Sequence, residues 1–170
     1  MAQSEARLAR LARLLVAISL ALALAIAYGF GTSYLNYLQW TRGAQGNIAK
    51  AIAYSTPTGG ELSLTIEFIA PTVGFPTKIE SMEFSLQGPE GHFGYYRIII
   101  PSEASPSAKD RDVVQLLLSS QVPPEHWPRL QTSLEPWLDG ILIVCLYLPG
   151  REVPARIPIS APVFLGGDMM

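Results

Sequence analysis

The chain has 170 residues, a net charge of −2, one cysteine and two histidines. That balance excludes a basic field for nucleic acid, and the single cysteine, Cys145, excludes an intrachain disulfide. With an N-terminal apolar segment set aside, the length leaves one domain able to bury a proper core.

The first predicted element is Leu11–Tyr28, LARLLVAISLALALAIAY, whose one charge is Arg13. At about 1.5 Å per residue such a run nearly spans a hydrocarbon core of roughly 30 Å. Two readings compete. Ala25-Ile26-Ala27 fits a signal-peptide cleavage pattern, and Arg7, Arg10 and Arg13 fit its basic flank. A retained anchor is favoured, because the apolar run is long and aromatic residues continue past the cut. Tyr28, Phe30, Tyr34, Tyr37 and Trp40 read as an interfacial belt and as the candidate surface for membrane lipids or a partner. Basic residues cluster before the span, which predicts a cytoplasmic N-terminus at 1–13. The membrane helix and its aromatic extension are expected at 14–40, with an extracytoplasmic domain at 41–170.

Gly43 and Gly46 break the helix. Asn47–Ser55 reads as a strand, followed by the turn Pro57-Thr58-Gly59-Gly60. In Glu61–Ile69, Leu62, Leu64, Ile66 and Phe68 alternate with polar residues, the period of a half-buried strand. Lys78–Gln87 repeats the pattern with Met82, Phe84 and Leu86 on one face. Gly88-Pro89-Glu90-Gly91 is a turn, Phe93–Ile100 the fourth strand, Pro101–Lys109 a polar loop and Val113–Ser119 the fifth strand. Asp110-Arg111-Asp112 reads as a solvated strand start. Trp127, Leu130, Leu134 and Trp137 recur at helical spacing and predict a short helix whose tryptophans plug the core.

Ile141–Leu148 is apolar on both faces, as in a central strand covered on both sides, and holds Cys145 as a small buried hydrophobe. After Pro149-Gly150-Arg151, the last strand, Val153–Phe164, carries Pro154, Pro158 and Pro162 at one parity. Their missing N–H groups lie along one side, so this strand belongs at a sheet edge, paired with Ile141–Leu148. About seven strands with one short helix give a mainly β chain, an antiparallel fibronectin-III/Ig-like β-sandwich preceded by a single transmembrane helix.

From Glu61 to Phe164 the chain resembles the group-2 late embryogenesis abundant family, also called the water-stress-and-hypersensitive-response domain. The resemblance rests on LSLTIEFIAPT, GFPTKIESMEFSLQG with GHFGYYRIII, the polar loop PSEAS, PPEHWPRLQTSL, and the hairpin ILIVCLYLPGREVPARIPISAPV. Where that family commonly has Asn-Pro, this chain has Ala70-Pro71. The resemblance implies a fibronectin-III-like sandwich, often behind one membrane helix. It carries over no catalytic residues and suggests a stress-protective, lipid-binding or partner-binding module.

His92 with Glu90 and His126 with Glu125 lack metal-ligand spacing, and no nucleophile elbow or phosphate-binding loop occurs. No enzymatic activity, cofactor or metal is therefore expected. The reading is an anchored accessory or structural subunit of a membrane protein complex, with other membrane-protein subunits as partners. A free-standing stress-protection or lipid-binding module is the alternative.

Overall fold

A computed structural model describes residues 2–71, 75–101, 107–108, 113–148 and 150–166, with the backbone alone for 2–9 and 107–108. The chain divides into two compact units, Met1–Gln39 and Trp40–Met170. The first unit is most of α1 (Ala2–Gly43), one continuous helix of 42 residues. Alanine and leucine, which lose little freedom in a helix, dominate its middle. The helix ends at Gly43, where an added Cβ would lie 2.8 Å from Cβ of Pro71. A side chain there would displace the proline.

The second unit is a sandwich. Among the described residues it has seven long strands: β1 (Gln45–Thr56), β2 (Gly59–Ile69), β3 (Thr77–Gly88), β4 (Gly91–Ile99), β6 (Val113–Val122), β7 (Trp137–Leu148) and β8 (Arg151–Pro162). Two-residue strands β5 (Ser107–Ala108) and β9 (Phe164–Leu165) and the short helix α2 (Trp127–Thr132) complete it. One sheet has the order β6-β2-β1-β9, the other β4-β3-β7-β8 with β5 beside β3. All pairings are antiparallel except β1 with β9. The fourth strand joins β3 rather than the β6 side. This separates the topology from the constant immunoglobulin arrangement, which puts its fourth strand in the first sheet.

The alternation read in the sequence builds the core. Leu62, Leu64, Ile66 and Phe68 of β2 face Met82, Phe84 and Leu86 of β3 and Leu138, Leu142 and Leu146 of β7, each at most 1% exposed. Tight hairpins join neighbours. The one at Pro57-Thr58 closes through Gly59 at φ 138°, a conformation only glycine adopts easily.

The structure corrects three expectations. The helix stops at Thr132, so Leu134 lies beyond it, 92% exposed, and Trp137 opens β7 at 44% exposure. Only Trp127 and Leu130 of the predicted helical row are buried. Pro136 resets the chain between Leu134 and Trp137, so their spacing is a coincidence across a break. Next, β7 is central within its sheet, but its outer face is covered only in part: Cys145 is buried, Ile141 and Ile143 are half-buried and Tyr147 is 37% exposed. Finally, the last strand ends at Pro162, and Phe164–Leu165 cross to the other sheet to pair with Ile52–Ala53. The N–H of Val163 donates to the carbonyl of Pro136 at 2.8 Å, and that of Gly166 to Ala53 at 2.9 Å, fixing the crossing. Asp110–Asp112, Pro149 and most of the Pro101–Lys109 loop lie outside the described residues.

Among the described residues β8 is an edge strand paired only with β7, as its prolines predict. Pro154, Pro158 and Pro162 stand opposite Cys145, Ile141 and Trp137 in an unbroken ladder. Their nitrogens therefore face away from β7.

Candidate interaction surfaces

Within α1, Arg10–Gly43 is long and apolar enough to cross a membrane. Its large side chains from Leu11 to Ile26 are 51–67% exposed. Phe30, Tyr34 and Tyr37 follow the i, i+4, i+7 spacing and share one helix face, with Tyr28 on the other side. Tyr28, Phe30 and Tyr34 are exposed and Tyr37 is half-buried. Thr32 returns its hydroxyl to the carbonyls of Tyr28 and Gly29, both at 3.0 Å, so this polar group needs no water.

Trp40 departs from the belt. It is 1% exposed and packs against Phe68 with ring centroids 6.3 Å apart. It is a core residue of the sandwich, and a buried ring cannot sit among lipid headgroups. Its place beside an apolar span made it read as interfacial. The deciding contact, with β2, is remote in sequence.

The opposite end of the sandwich from the start of β1 holds a cluster that the sequence reading missed. The Tyr96 hydroxyl lies 2.9 Å from Nδ1 of His126, and Tyr96 stacks on Phe84 at 5.2 Å. Burial, aided by the charge of Glu125, pushes the Tyr96 phenol up to about 12. The ring of Trp127 lies on Gly60, where any Cβ would collide with it. Together these contacts seat α2 against β2 and β4. The Arg129 guanidinium sits 5.5 Å over the Phe93 ring beside a shallow cavity of about 140 Å³ lined by both, with Glu90 and Ser133. The Ser133 hydroxyl oxygen is buried without a hydrogen-bond partner. Phe93 and Tyr96 are both buried although they differ in parity, because the β3–β4 ladder shifts register between Leu86 and Gln87, so a period of two does not find this pair.

On the outer face of the second sheet, the Tyr95 hydroxyl donates to Glu83 at 2.7 Å, and Arg97 Nε lies 3.5 Å from the same carboxylate. The hydrogen bond to Glu83 raises the Tyr95 phenol above its ordinary range. Glu83 is thus engaged, as is Glu67, which accepts from Gln115 at 2.9 Å. Among the described residues no three His, Cys, Asp or Glu side chains gather as a metal set. His126 is partnered by Tyr96 rather than used with Glu125 as a pair.

No family model and no curated protein matches the chain. Solved structures do match its fold. The protein AT1g01470 from Arabidopsis thaliana superposes with a TM-score of 0.50 at 16% identity, over 74% of this chain and 83% of that one. Structural neighbours also include the structural genomics target SoR45, at TM-score 0.49, 12% identity and coverage of 76% and 92%. A late embryogenesis abundant (LEA) protein, At2g46140.1, is another, at TM-score 0.42, 12% identity and coverage of 70% and 68%. The sandwich that the resemblance implied is the fold observed. At these identities the likeness is one of fold, and fold does not fix function.

Proposed function

We propose that this protein is a single-pass, membrane-anchored, non-catalytic β-sandwich that works by association, as an accessory or structural subunit of a membrane protein complex. The observation that carries the reading is the uncovered face of α1. Small residues run along it at i, i+4 spacing, Ala17, Ala21, Ala25 and Gly29, with Ser19, Ala23, Ala27 and Gly31 on the opposite side. Small residues let helix backbones approach closely in lipid, where packing rather than water exclusion drives helices together. The exposed Phe30 and Tyr34 stand near the end of the span, where a partner's surface would meet them. The rival reading, a free-standing lipid-binding module, needs apolar space between the sheets. Leu62, Leu64, Ile66, Phe84 and Leu142 fill that space.

Extraction in a mild detergent, followed by size analysis and mass spectrometry, tests the reading. Co-purifying membrane chains are expected. A lone 18.5 kDa chain would reject the subunit role. The basic flank of Arg10 and Arg13 supports a cytoplasmic N-terminus, so protease added to intact cells or spheroplasts should remove the domain. Protection of the domain until the membrane is broken would reverse the topology.

A further inference from the structure

Among the described residues four strands have an edge with no long neighbour, and three are visibly guarded. On β8 the prolines remove outward donors. On β1 the returning segment β9 occupies the edge. β4 carries Gly91, Gly94 and Arg97, and its ladder with β3 is broken by a bulge between Leu86 and Gln87. β6 has none of these devices. Its ten residues, VVQLLLSSQV, contain no charge, proline or glycine. Among the described residues it pairs only with β2, in a ladder of ten consecutive partners without a register shift. Leu117 is 80% exposed and Val113 59%. A long, regular, uncharged edge is a template for another strand, since its outward N–H and C=O groups accept only an extended backbone.

We propose that β6 is the interface with a second copy of this chain, through two-fold antiparallel pairing of β6 with β6. The inference rests on the association reading above and names its surface. Charge argues for a copy of the same strand. In a two-fold pairing every residue of β6 meets one from the same uncharged ten, so no pair repels. Of the two β2 carboxylates opposite β6, Glu67 is held by Gln115 and Glu61 stands opposite Gln121. Centred on Leu117, the pairing sets Leu117 against its own copy, Leu116 against Leu118 and Gln115 against Ser119. Both faces then match: Leu116 continues the buried row, and Leu117 loses its exposure. The two sheets join into one that runs β9-β1-β2-β6 and back through the copy, related by a closed two-fold axis.

The test uses the full chain in membranes, in a Cys145→Ala background. Single cysteines replace Val113, Gln115, Leu117, Ser119 and Gln121 in turn, and the variants are oxidised singly and in pairwise mixtures. Disulfide-linked dimers are expected only for combinations whose residue numbers share one sum, the signature of one antiparallel register. Leu117→Lys should abolish the dimer while leaving the thermal midpoint of the domain nearly unchanged, because the side chain is mostly exposed. Absent or scattered crosslinks overturn the proposal, as does a dimer that survives Leu117→Lys. A different protein lost from the complex by that variant also overturns it, since the edge then serves another partner. Co-purifying subunits without β6 crosslinks leave the association reading standing and remove this one. A β6 dimer without other chains does the reverse.

Discussion

The two lateral sides of the sandwich solve the same problem differently. On one side β8 has three outward prolines, and β9 crosses from one sheet to cover the edge of the other. On the other side β6 and β4 end their sheets, and β6 offers ten uncharged residues to its surroundings. Both sides stack on one core, so the difference is not one of stability. A sandwich must prevent edge-to-edge association wherever it is unwanted. Protection of β8, β1 and β4 but not of β6 marks β6 as the edge where association is tolerated or used.

The comparison holds only if the edges can be changed without touching the core, and the largest expected effect calibrates that. Phe68→Asp places a charge beside Trp40 with no partner, at a side chain with 0% exposure. It should cost more than about 4 kcal/mol, enough to unfold a marginal domain. Thr65→Asp, on the outer face of the same strand and opposite Lys50, should cost less than about 1 kcal/mol. Chemical denaturation of both variants checks this. Equal losses would mean that the two faces of β2 are not distinct.

Next in size is removal of the guard. Replacing Pro154, Pro158 and Pro162 together by threonine restores three outward N–H groups on β8. The domain should lose about 1–3 kcal/mol, through the greater freedom of its unfolded chain. The larger change is in state: the variant should form species on sizing that are larger than the parent's own. If sizing is unchanged, the prolines are not what closes this side, and the crossing of β9 is sufficient.

These prolines were also the most legible feature of the sequence. Their common parity fixed an edge strand and its partner, because a missing N–H has one geometric consequence. The core rows of β2 and β3 were equally legible, since burial on one face leaves a period of two. What stayed hidden depended on contacts remote in the chain. Trp40 sits beside an apolar helix, and only Phe68 makes it a core residue. Leu134 and Trp137 satisfy helical spacing, yet Pro136 separates them and Trp137 pairs with Pro162. The crossing at Pro162 has no local signal, because Phe164 and Leu165 continue an alternation that would suit a longer β8. Of the candidate surface, Tyr28, Phe30 and Tyr34 are exposed, whereas the bareness of β6 emerges only once its neighbours are known.

A smaller effect concerns the contact where Tyr96 of β4 meets His126, the residue that precedes α2. The folded phenol sits near 12 against 10 when unfolded. The folded state thus holds this proton more tightly than the unfolded chain. Its stabilisation is complete below pH 10 and is lost as pH rises from 10 to 12. The thermal midpoint should fall across that window. Tyr96→Phe should lower it by an amount equivalent to about 1 kcal/mol at neutral pH, through the lost hydrogen bond, and flatten the alkaline fall. An unchanged alkaline slope in the variant would mean that Tyr96 is not held protonated by burial.

The smallest effect compares the two sides by thiol chemistry. Cys145 lies on β7 opposite Pro154 of the guarded edge and is 4% exposed. Burial pushes its thiol above the ordinary range. Low access and a small thiolate fraction both slow its reaction, because the thiolate is the nucleophile. At neutral pH the folded chain should therefore react with an aromatic disulfide reagent only as fast as it opens, and fully after denaturation. A cysteine at Leu117, on the bare edge, should react at once in dilute monomer and be protected as concentration rises, if two β6 strands close over it. Rapid labelling of Cys145 in the folded chain would show that the guarded side opens readily, and the contrast between the two sides would then fail.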